Sequence, residues 1–304
     1  MKVRELVTAL NRMGDFYANH EDTNKQGKRF SFYKAARSLK TQLGMDTEAD
    51  EFFDFTVFSG IGDGIQDRLI KVIKGEWVYE LANAPGADPI QHADKELAEK
   101  LAGFGIKTQS DVVDAMMDKK LCHVLPDELI ESNGRIRRDK VEGVMGWLRH
   151  IIQELGEGEM IPLGSYRRES PTVKDLDFIV VDIELDKLMN IIRTTTPLLV
   201  REVTVGELMR RTVIAYNGIT VAADFKMVPK GTEGTAILHF TGPVKSNIVS
   251  RAIVKRQGGV LNEYGVFVDG SEVSSTLNMN ETQVIEFLNE KYGTNIPLDP
   301  ASRS

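Results

Sequence analysis

The sequence predicts an α+β fold, in which a helical front half precedes a back half of mixed strands and helices. In the front half, apolar residues such as Leu6, Leu10 and Met13 recur at the spacing of an amphipathic helix. In the back half, residues 178–181 form an apolar run rich in β-branched side chains, and residues 219–227 show an alternating pattern. The change from a helical to a strand period near the middle of the chain separates the two halves.

The composition restricts the functional classes. Apolar residues make up 41% and charged residues 27% of the chain, and 38 Lys and Arg against 45 Asp and Glu leave a net charge of −7. This balance disfavours a protein that coats nucleic acid through bulk positive charge, but it allows a local basic groove. The single cysteine, Cys122, excludes an intrachain disulfide and a cysteine-based zinc site. Because no apolar stretch approaches the ~18 residues of a membrane span, we expect a cytoplasmic protein without a membrane partner.

The front half is expected to contain helices separated by turns. The sequence Gly60-Ile61-Gly62 precedes apolar residues at helical spacing, and a Pro- and Gly-rich break at residues 84–89 is typical of a linker. We therefore expect an N-terminal helical domain over residues 1–78 and a second helical subdomain over residues 79–137. The predicted helices cover residues 6–17, 32–43, 65–73 and 95–117.

The back half is expected to begin with a helix and to continue into strands. In the strand at residues 219–227, the odd-numbered side chains share one face and the even-numbered ones, Asp224 among them, share the other. We expect a sheet-containing part over residues 138–232 and a smaller α+β subdomain over residues 233–304. Further strands are predicted at residues 236–240 and 264–268, and helices at 138–155 and 281–292.

Three acidic residues on predicted strands carry the chemistry. Asp175 and Asp177 point to one face of a strand, where they repel by roughly 3 kcal/mol at ~5 Å and an effective dielectric of about 20. A hard divalent cation would neutralise such a pair. Asp224 lies among apolar neighbours, where an unpaired charge is costly. Three acids on neighbouring strands can hold two magnesium ions, which activate an attacking hydroxyl and stabilise a leaving pyrophosphate.

A Gly-Ser pair precedes the first acidic strand. Gly164-Ser165 suits a phosphate cradle because a hydroxyl and backbone N–H groups can point at a triphosphate. An Asp-x-Asp pair alone is more typical of a solvated strand end, with the Gly-Ser pair as a simple turn. The Gly-Ser pair, the adjacent arginines and Asp224 together favour a nucleotidyl-transfer site.

These motifs resemble those of family X DNA polymerases, a branch of the nucleotidyltransferase superfamily. The resemblance rests on Gly164-Ser165-Tyr166-Arg167-Arg168 followed by Asp175-Leu176-Asp177, and on a later stretch that begins at Leu238-His239-Phe240-Thr241-Gly242. That stretch continues through Asn247 and Arg251 to Asn262-Glu263-Tyr264. A looser match covers residues 32–37 and 60–62 of the front half.

The resemblance implies a role for each motif. Asp175 and Asp177 would bind both metal ions, and Asp224 would bind the catalytic ion and help to deprotonate a primer 3′-hydroxyl. The cofactor would be two Mg²⁺ ions, or Mn²⁺ in their place. The residues implied in binding the incoming dNTP are Gly164, Ser165, Arg168, Arg135, His239, Phe240, Gly242 and Asn247. The residues implied in binding DNA are Gly60, Ile61, Gly62, Arg68, Arg251 and Tyr264.

The family's fold would comprise a helical lyase-like domain with a helix-hairpin-helix, a helical DNA-binding subdomain, a palm and a subdomain that binds the nascent base pair. Relatives use a lysine after the Gly-x-Gly turn for 5′-deoxyribose-phosphate lyase chemistry, and Arg68 stands at that position. Arginine stays protonated and offers no free amine, so efficient lyase activity is not expected unless Lys71, one helical turn further along, replaces it.

The implied function is addition of dNMP to a primer 3′-end, with release of pyrophosphate, during short gap filling in DNA repair. The expected partners are gapped or primer-template DNA and a dNTP, bound by a monomer. Two alternatives stay open at this point. One is a template-independent terminal transferase or another nucleotidyltransferase, and the other is a DNA-end-binding scaffold with vestigial catalysis.

Overall fold

The computed structural model describes residues 1–20, 22–195, 197–268, 271 and 273–303, apart from the side chains of Thr23 and Asn24. The chain divides into two compact units, residues 1–115 and 116–304. Helices and strands are both present, with a mixed five-stranded sheet in the second unit, which confirms the α+β class. The finer division into four parts stays a prediction.

The first unit is helical. Its helices are α1 (Val3–Ala18), α2 (Thr23–Gln26), α3 (Arg29–Gln42), α4 (Asp63–Ile73), α5 (Tyr79–Ala82), α6 (Lys95–Ala102) and the greater part of α7 (Gln109–Met117). A core that includes Leu6, Leu10, Phe32, Leu39 and Leu69 joins α1, α3 and α4. The apolar stripes that predicted these three helices are therefore the faces that they bury.

The helical stretch predicted over residues 95–117 consists of two separate helices, α6 and α7. The chain leaves α6 at Gly103, and Gly105 adopts a left-handed φ of +84°. Two glycines within three residues lower the helical propensity of this stretch enough to end the first helix.

The second unit combines helices with three sheets. Its helices are α8 (Asp127–Ser132), α9 (Arg138–Leu155), α10 (Gly164–Arg167), α11 (Leu185–Thr194), α12 (Glu233–Thr241), α13 (Val244–Arg256) and α14 (Glu281–Tyr292). Its strands are β1 (Ile136–Arg137), β2 (Glu159–Pro162), β3 (Thr172–Val173), β4 (Asp175–Val181), β5 (Leu199–Val205), β6 (Met209–Tyr216), β7 (Ile219–Met227), β8 (Gly259–Asn262) and β9 (Gly265–Val268). The predicted strand at residues 236–240 is wrong, because this stretch lies within α12.

The largest sheet has the strand order β2-β4-β7-β6-β5, in which β4 and β7 run parallel and the other neighbours run antiparallel. One face packs on α9 and α11 through a core that includes Phe178, Val221, Ala223 and Phe225. Because side chains alternate along a strand, the even-numbered residues of β7 point away from this core. The opposite face is covered in part by α12, whose Ala236 packs with Ile179.

The remaining strands form two small ribbons, β1 with β3 and β8 with β9. The β8–β9 hairpin packs with α13 and α14 around a separate core that includes Val254, Val266 and Leu288. Within the described residues, no helix is both long and apolar enough to cross a membrane.

Candidate active site

Three carboxylates share one face of the central sheet. Asp177 of β4 and Asp224 of β7 are direct Cα partners in the parallel pair, and Asp175 lies two residues before Asp177. Neighbouring strands are separated by about 4.8 Å, and residues two apart on a strand point to the same side. The hydrogen-bond register of β4 and β7 therefore brings together the three acids that the sequence analysis identified.

Two cations from the same face contact two of these carboxylates, those of Asp177 and Asp224. The Lys226 ammonium lies 2.8 Å from Asp177 Oδ1 and 4.0 Å from Asp224 Oδ2. The Arg211 guanidinium donates through Nε to Asp224 Oδ1 at 2.9 Å and through Nη2 to Oδ2 at 2.7 Å. The Lys226 ammonium also lies 4.8 Å from the ring centroid of Phe240, which fixes its position between an acid and an aromatic face.

The sequence analysis did not identify these two cations as part of the site. Lys226 follows Asp224 by two residues on a predicted strand, so alternation alone already placed it on the acidic face. Arg211 lies on β6, which was not predicted as a strand, and its pairing with Asp224 depends on the β6–β7 register.

The negative charge at the site is only partly compensated. The pKa of Asp175 is raised because burial and the charges of Asp177 and Asp224 disfavour its ionised form, despite the nearby ammonium groups of Lys174 and Lys226. A divalent cation beside these three groups would relieve the repulsion, and carboxylate oxygens are the ligands that Mg²⁺ prefers. The chemistry of the donor set thus fits a hard divalent metal. Within the described residues, no group of three or more His, Cys, Asp or Glu side chains is already arranged around a metal position.

The Gly-Ser turn lies directly against one of the acids. Gly164 begins α10 with a left-handed φ of +58°, and a Cβ at this position would stand 2.9 Å from Asp177 Oδ2. The Leu163 N–H donates to the Asp177 carbonyl at 2.8 Å, which holds the turn beside β4. Ser165 follows in the same short helix, so the proposed phosphate cradle adjoins the carboxylates.

Two half-buried arginines contribute positive charge. Arg135 donates to Thr172 Oγ1 at 2.7 Å and to the Thr172 carbonyl at 2.8 Å, and Arg168 donates to the Thr241 carbonyl. A Cβ at Gly242 would stand 3.2 Å from Arg168 Nη1, so this glycine allows the close approach. Burial and the neighbouring Arg135 lower the pKa of Arg168, and burial lowers that of Arg135. A polyanion such as a triphosphate would relieve the electrostatic repulsion between these two guanidinium groups.

The residues expected to contact sugar, base and template form a second cluster. Asn247 Nδ2 donates to the His239 carbonyl at 2.6 Å, and Arg251 Nη2 lies 2.9 Å from His239 Nδ1. Burial and the charge of Arg251 lower the pKa of His239, which favours a neutral imidazole. Arg251 also approaches Glu263 at 3.7 Å, and exposed Tyr264 follows Glu263 in the β8–β9 turn.

In the first unit, the Gly-x-Gly turn leads into α4. Gly60 has a left-handed φ of +90°, Ile61 is buried and Gly62 is the N-cap of α4. The aliphatic stem of Lys34 packs so closely on Gly60 that a Cβ there would stand 3.0 Å from Lys34 Cδ. The turn at Gly60 therefore lies next to a lysine side chain.

Arg68 is held by internal partners. Its Nε and Nη2 donate to Glu80 Oε1 at 2.9 and 2.6 Å, and the Tyr17 hydroxyl donates to the same oxygen at 2.9 Å. Burial and Glu80 raise the pKa of Tyr17 to about 12, so the phenol stays protonated as a donor. Lys71 forms an ion pair with Asp67 at 3.1 Å and is 41% exposed.

Comparison with known proteins shows similarity to two curated DNA polymerases. No protein-family model matches the chain. The chain is 26% identical over 279 residues to the Bacillus subtilis DNA polymerase/3′-5′ exonuclease PolX, in a match that covers 78% of this chain and 45% of that protein. It is 27% identical over 138 residues to the repair DNA polymerase X of African swine fever virus, which covers 44% of this chain and 77% of the viral protein.

The chain thus spans less than half the length of the bacterial relative. Both relatives bear the name of DNA polymerase X, so the comparisons confirm the resemblance to family X DNA polymerases at modest identity.

Proposed function

We propose that the protein is a DNA polymerase that adds dNMP to a primer 3′-hydroxyl with release of pyrophosphate, in short gap filling during DNA repair. The observation that carries this proposal is the pairing of Asp177 with Asp224 beside Asp175 and the Gly164-Ser165 turn. The names of the two relatives support the same reaction class.

The proposed roles of the acids follow from their positions. Two divalent cations, Mg²⁺ or Mn²⁺, would supply Lewis-acid stabilisation of developing charge on the phosphate and the attacking oxygen. Asp175 and Asp177 would hold both cations, and Asp224 would hold one. Asp224 would also orient the primer 3′-hydroxyl and accept its proton, because its carboxylate retains lone pairs beyond the two that Arg211 uses.

The nucleotide would extend from the acids toward the arginines. Ser165, Arg168 and Arg135 would bind the β- and γ-phosphates, since both guanidinium groups are half-buried and cationic. The deoxyribose would lie against a group formed by His239, Phe240 and Gly242. Asn247 would contact the incoming base, and Arg251 and Tyr264 the template.

The Gly60-Ile61-Gly62 turn, with the neighbouring Lys34, would bind a DNA phosphate, because a helix N-terminus presents backbone N–H groups and Gly62 caps α4 without a side-chain hydrogen bond. We propose the four-part division at residues 78, 137 and 232 for this molecule, which would act as a cytoplasmic monomer on gapped or primer-template DNA.

Efficient lyase activity is not proposed, because Arg68 lacks a free amine and is held by Glu80.

The test is extension of a primer at a one-nucleotide gap, with and without a template base, in Mg²⁺ or in EDTA. Template-dependent extension that occurs in Mg²⁺ and is absent in EDTA would support the proposal. Extension without a template would favour a terminal transferase, and DNA binding without extension would favour a scaffold.

Substitution of the acids tests the assigned roles. Asp224→Ala should lower incorporation by several powers of ten and leave DNA affinity nearly unchanged, because one catalytic ligand is lost. Asp177→Ala should do the same and also weaken dNTP binding. Incorporation by Asp224→Ala within tenfold of the unsubstituted protein would contradict the assignment.

A further inference from the structure

Arg211 contacts the third acid from the strand on its other side. It is the Cα partner of Asp224 in the antiparallel pair of β6 and β7, so both side chains project from the same face of the sheet. Its two hydrogen bonds, at 2.9 and 2.7 Å, reach both oxygens of the carboxylate. Asp224 is buried, whereas about half of the Arg211 side chain is exposed.

Such a two-point contact fixes a carboxylate in a way that a single contact does not. Rotation about the terminal bond of an aspartate is soft, and a planar guanidinium that binds both oxygens restricts it. Each carboxylate oxygen has two lone pairs, so Arg211 leaves one on each oxygen for a cation or a hydroxyl. The Lys226 ammonium approaches Asp177 through one oxygen and constrains its orientation less.

Orientation matters most at Asp224, if it accepts the proton of the attacking hydroxyl. A general base acts only when its lone pair reaches the proton in the reacting geometry, and a misplacement of about 1 Å costs roughly 100-fold in rate. The neighbouring strand thus supplies a device that sets this geometry before substrate binds.

We propose that Arg211 is a positioning residue for nucleotidyl transfer, which holds the plane of the Asp224 carboxylate through its paired hydrogen bonds. This inference rests on the proposed function and assigns Arg211 no contact with the nucleotide or the primer.

The test compares three substitutions and a control. Arg211→Ala removes both contacts, and Arg211→Lys keeps the charge but loses the planar pair. The double variant Arg211→Ala with Ala222→Arg offers a guanidinium from the strand of Asp224 itself, because residue 222 shares its face. Arg201→Ala removes an exposed arginine from the neighbouring strand β5 and serves as the control.

We expect Arg211→Ala to lower the single-turnover rate constant about 100-fold, with the dNTP dissociation constant changed less than threefold. Arg211→Lys should lose about tenfold, the double variant should regain at least tenfold, and Arg201→Ala should stay within twofold. A double-mutant cycle in EDTA, measured by urea unfolding, compares Arg211→Ala, Asp224→Asn and the combined variant. The effect of the combined variant on the unfolding equilibrium constant should differ about fivefold from the product of the two single effects.

A rate constant for Arg211→Ala within threefold of the unsubstituted protein would overturn the inference. A parallel loss of rate and dNTP affinity without rescue by Ala222→Arg would also overturn it, since that pattern indicates general damage to the sheet. Absence of incorporation by the unsubstituted protein would instead overturn the proposed function, and the unfolding cycle in EDTA would still measure the Arg211–Asp224 pair.

Discussion

Substitution of Gly164 should separate damage to the site from damage to the fold. Gly164 has a left-handed φ of +58°, and the Cβ of an alanine would stand 2.9 Å from Asp177 Oδ2, closer than a carbon and an oxygen pack without a bond. The left-handed conformation costs an alanine about 1 kcal/mol relative to glycine. The contact further obliges the Asp177 carboxylate to move by several tenths of an ångström from its position beside Lys226.

Gly218 offers a matched control. It has a φ of +77° in the two-residue turn between β6 and β7, and a Cβ there would meet no atom within 4 Å. Gly218→Ala should therefore carry the same backbone cost of about 1 kcal/mol and leave the acids in place. Only the variant at Gly164 changes the geometry of the acidic face.

The measurement combines urea unfolding with single-nucleotide primer extension. Both variants should lose about 1 kcal/mol of unfolding free energy, whereas Gly164→Ala alone should lose about 10- to 100-fold in extension rate. Equal extension rates for the two variants would refute the reasoning, because the Gly164 turn would then not position Asp177.

Two further predictions concern DNA. Affinity for gapped DNA should fall with salt, with a log–log slope of about 3 or more in magnitude at ~0.9 for each phosphate contact; a flat response would be incompatible with a phosphate-binding groove. Borohydride reduction in the presence of a 5′-deoxyribose-phosphate end should trap little covalent complex, because Arg68 has no free amine. Strong trapping that disappears in Lys71→Ala would instead show that the lyase nucleophile is the neighbouring lysine.

Sequence patterns predicted some elements well because local chemistry determines them. The strand at residues 219–227 has the predicted bounds, since alternation over nine residues defines both the element and its two faces. The helix Glu281–Tyr292 also matches, because Asn280 forms a capping box and Gly293 ends the helix in the left-handed conformation.

The errors occur where tertiary packing, and not the local sequence pattern, determines the secondary structure. Residues 236–240 form a short apolar run, which suits a strand and a buried helix equally, and packing on β4 selects the helix. The strand β5 escaped prediction because a register shift between Glu202 and Thr204 interrupts the alternation, and β6 escaped prediction as well.

The same limit applies to the candidate site. The sequence pattern identified the three aspartates as acids on apolar strands. It did not identify both of the cations that contact Asp177 and Asp224. Lys226 follows from alternation along β7, whereas Arg211 requires knowledge of which residue of β6 faces Asp224.

The parallel pairing of β4 with β7 ties the assembly of the acids to the completion of the fold. These strands are far apart in the sequence, and β5 and β6 must form between them, so Asp177 and Asp224 meet only after a long-range pairing that is slow to form. A slip of one residue would turn Asp224 into the layer where Phe178 and Phe225 stack, and would expose Phe225. A chain with this register error would thus be both unstable and unable to bring its acids together. The same register of β4 and β7 therefore determines the stability of the fold and the placement of the acids.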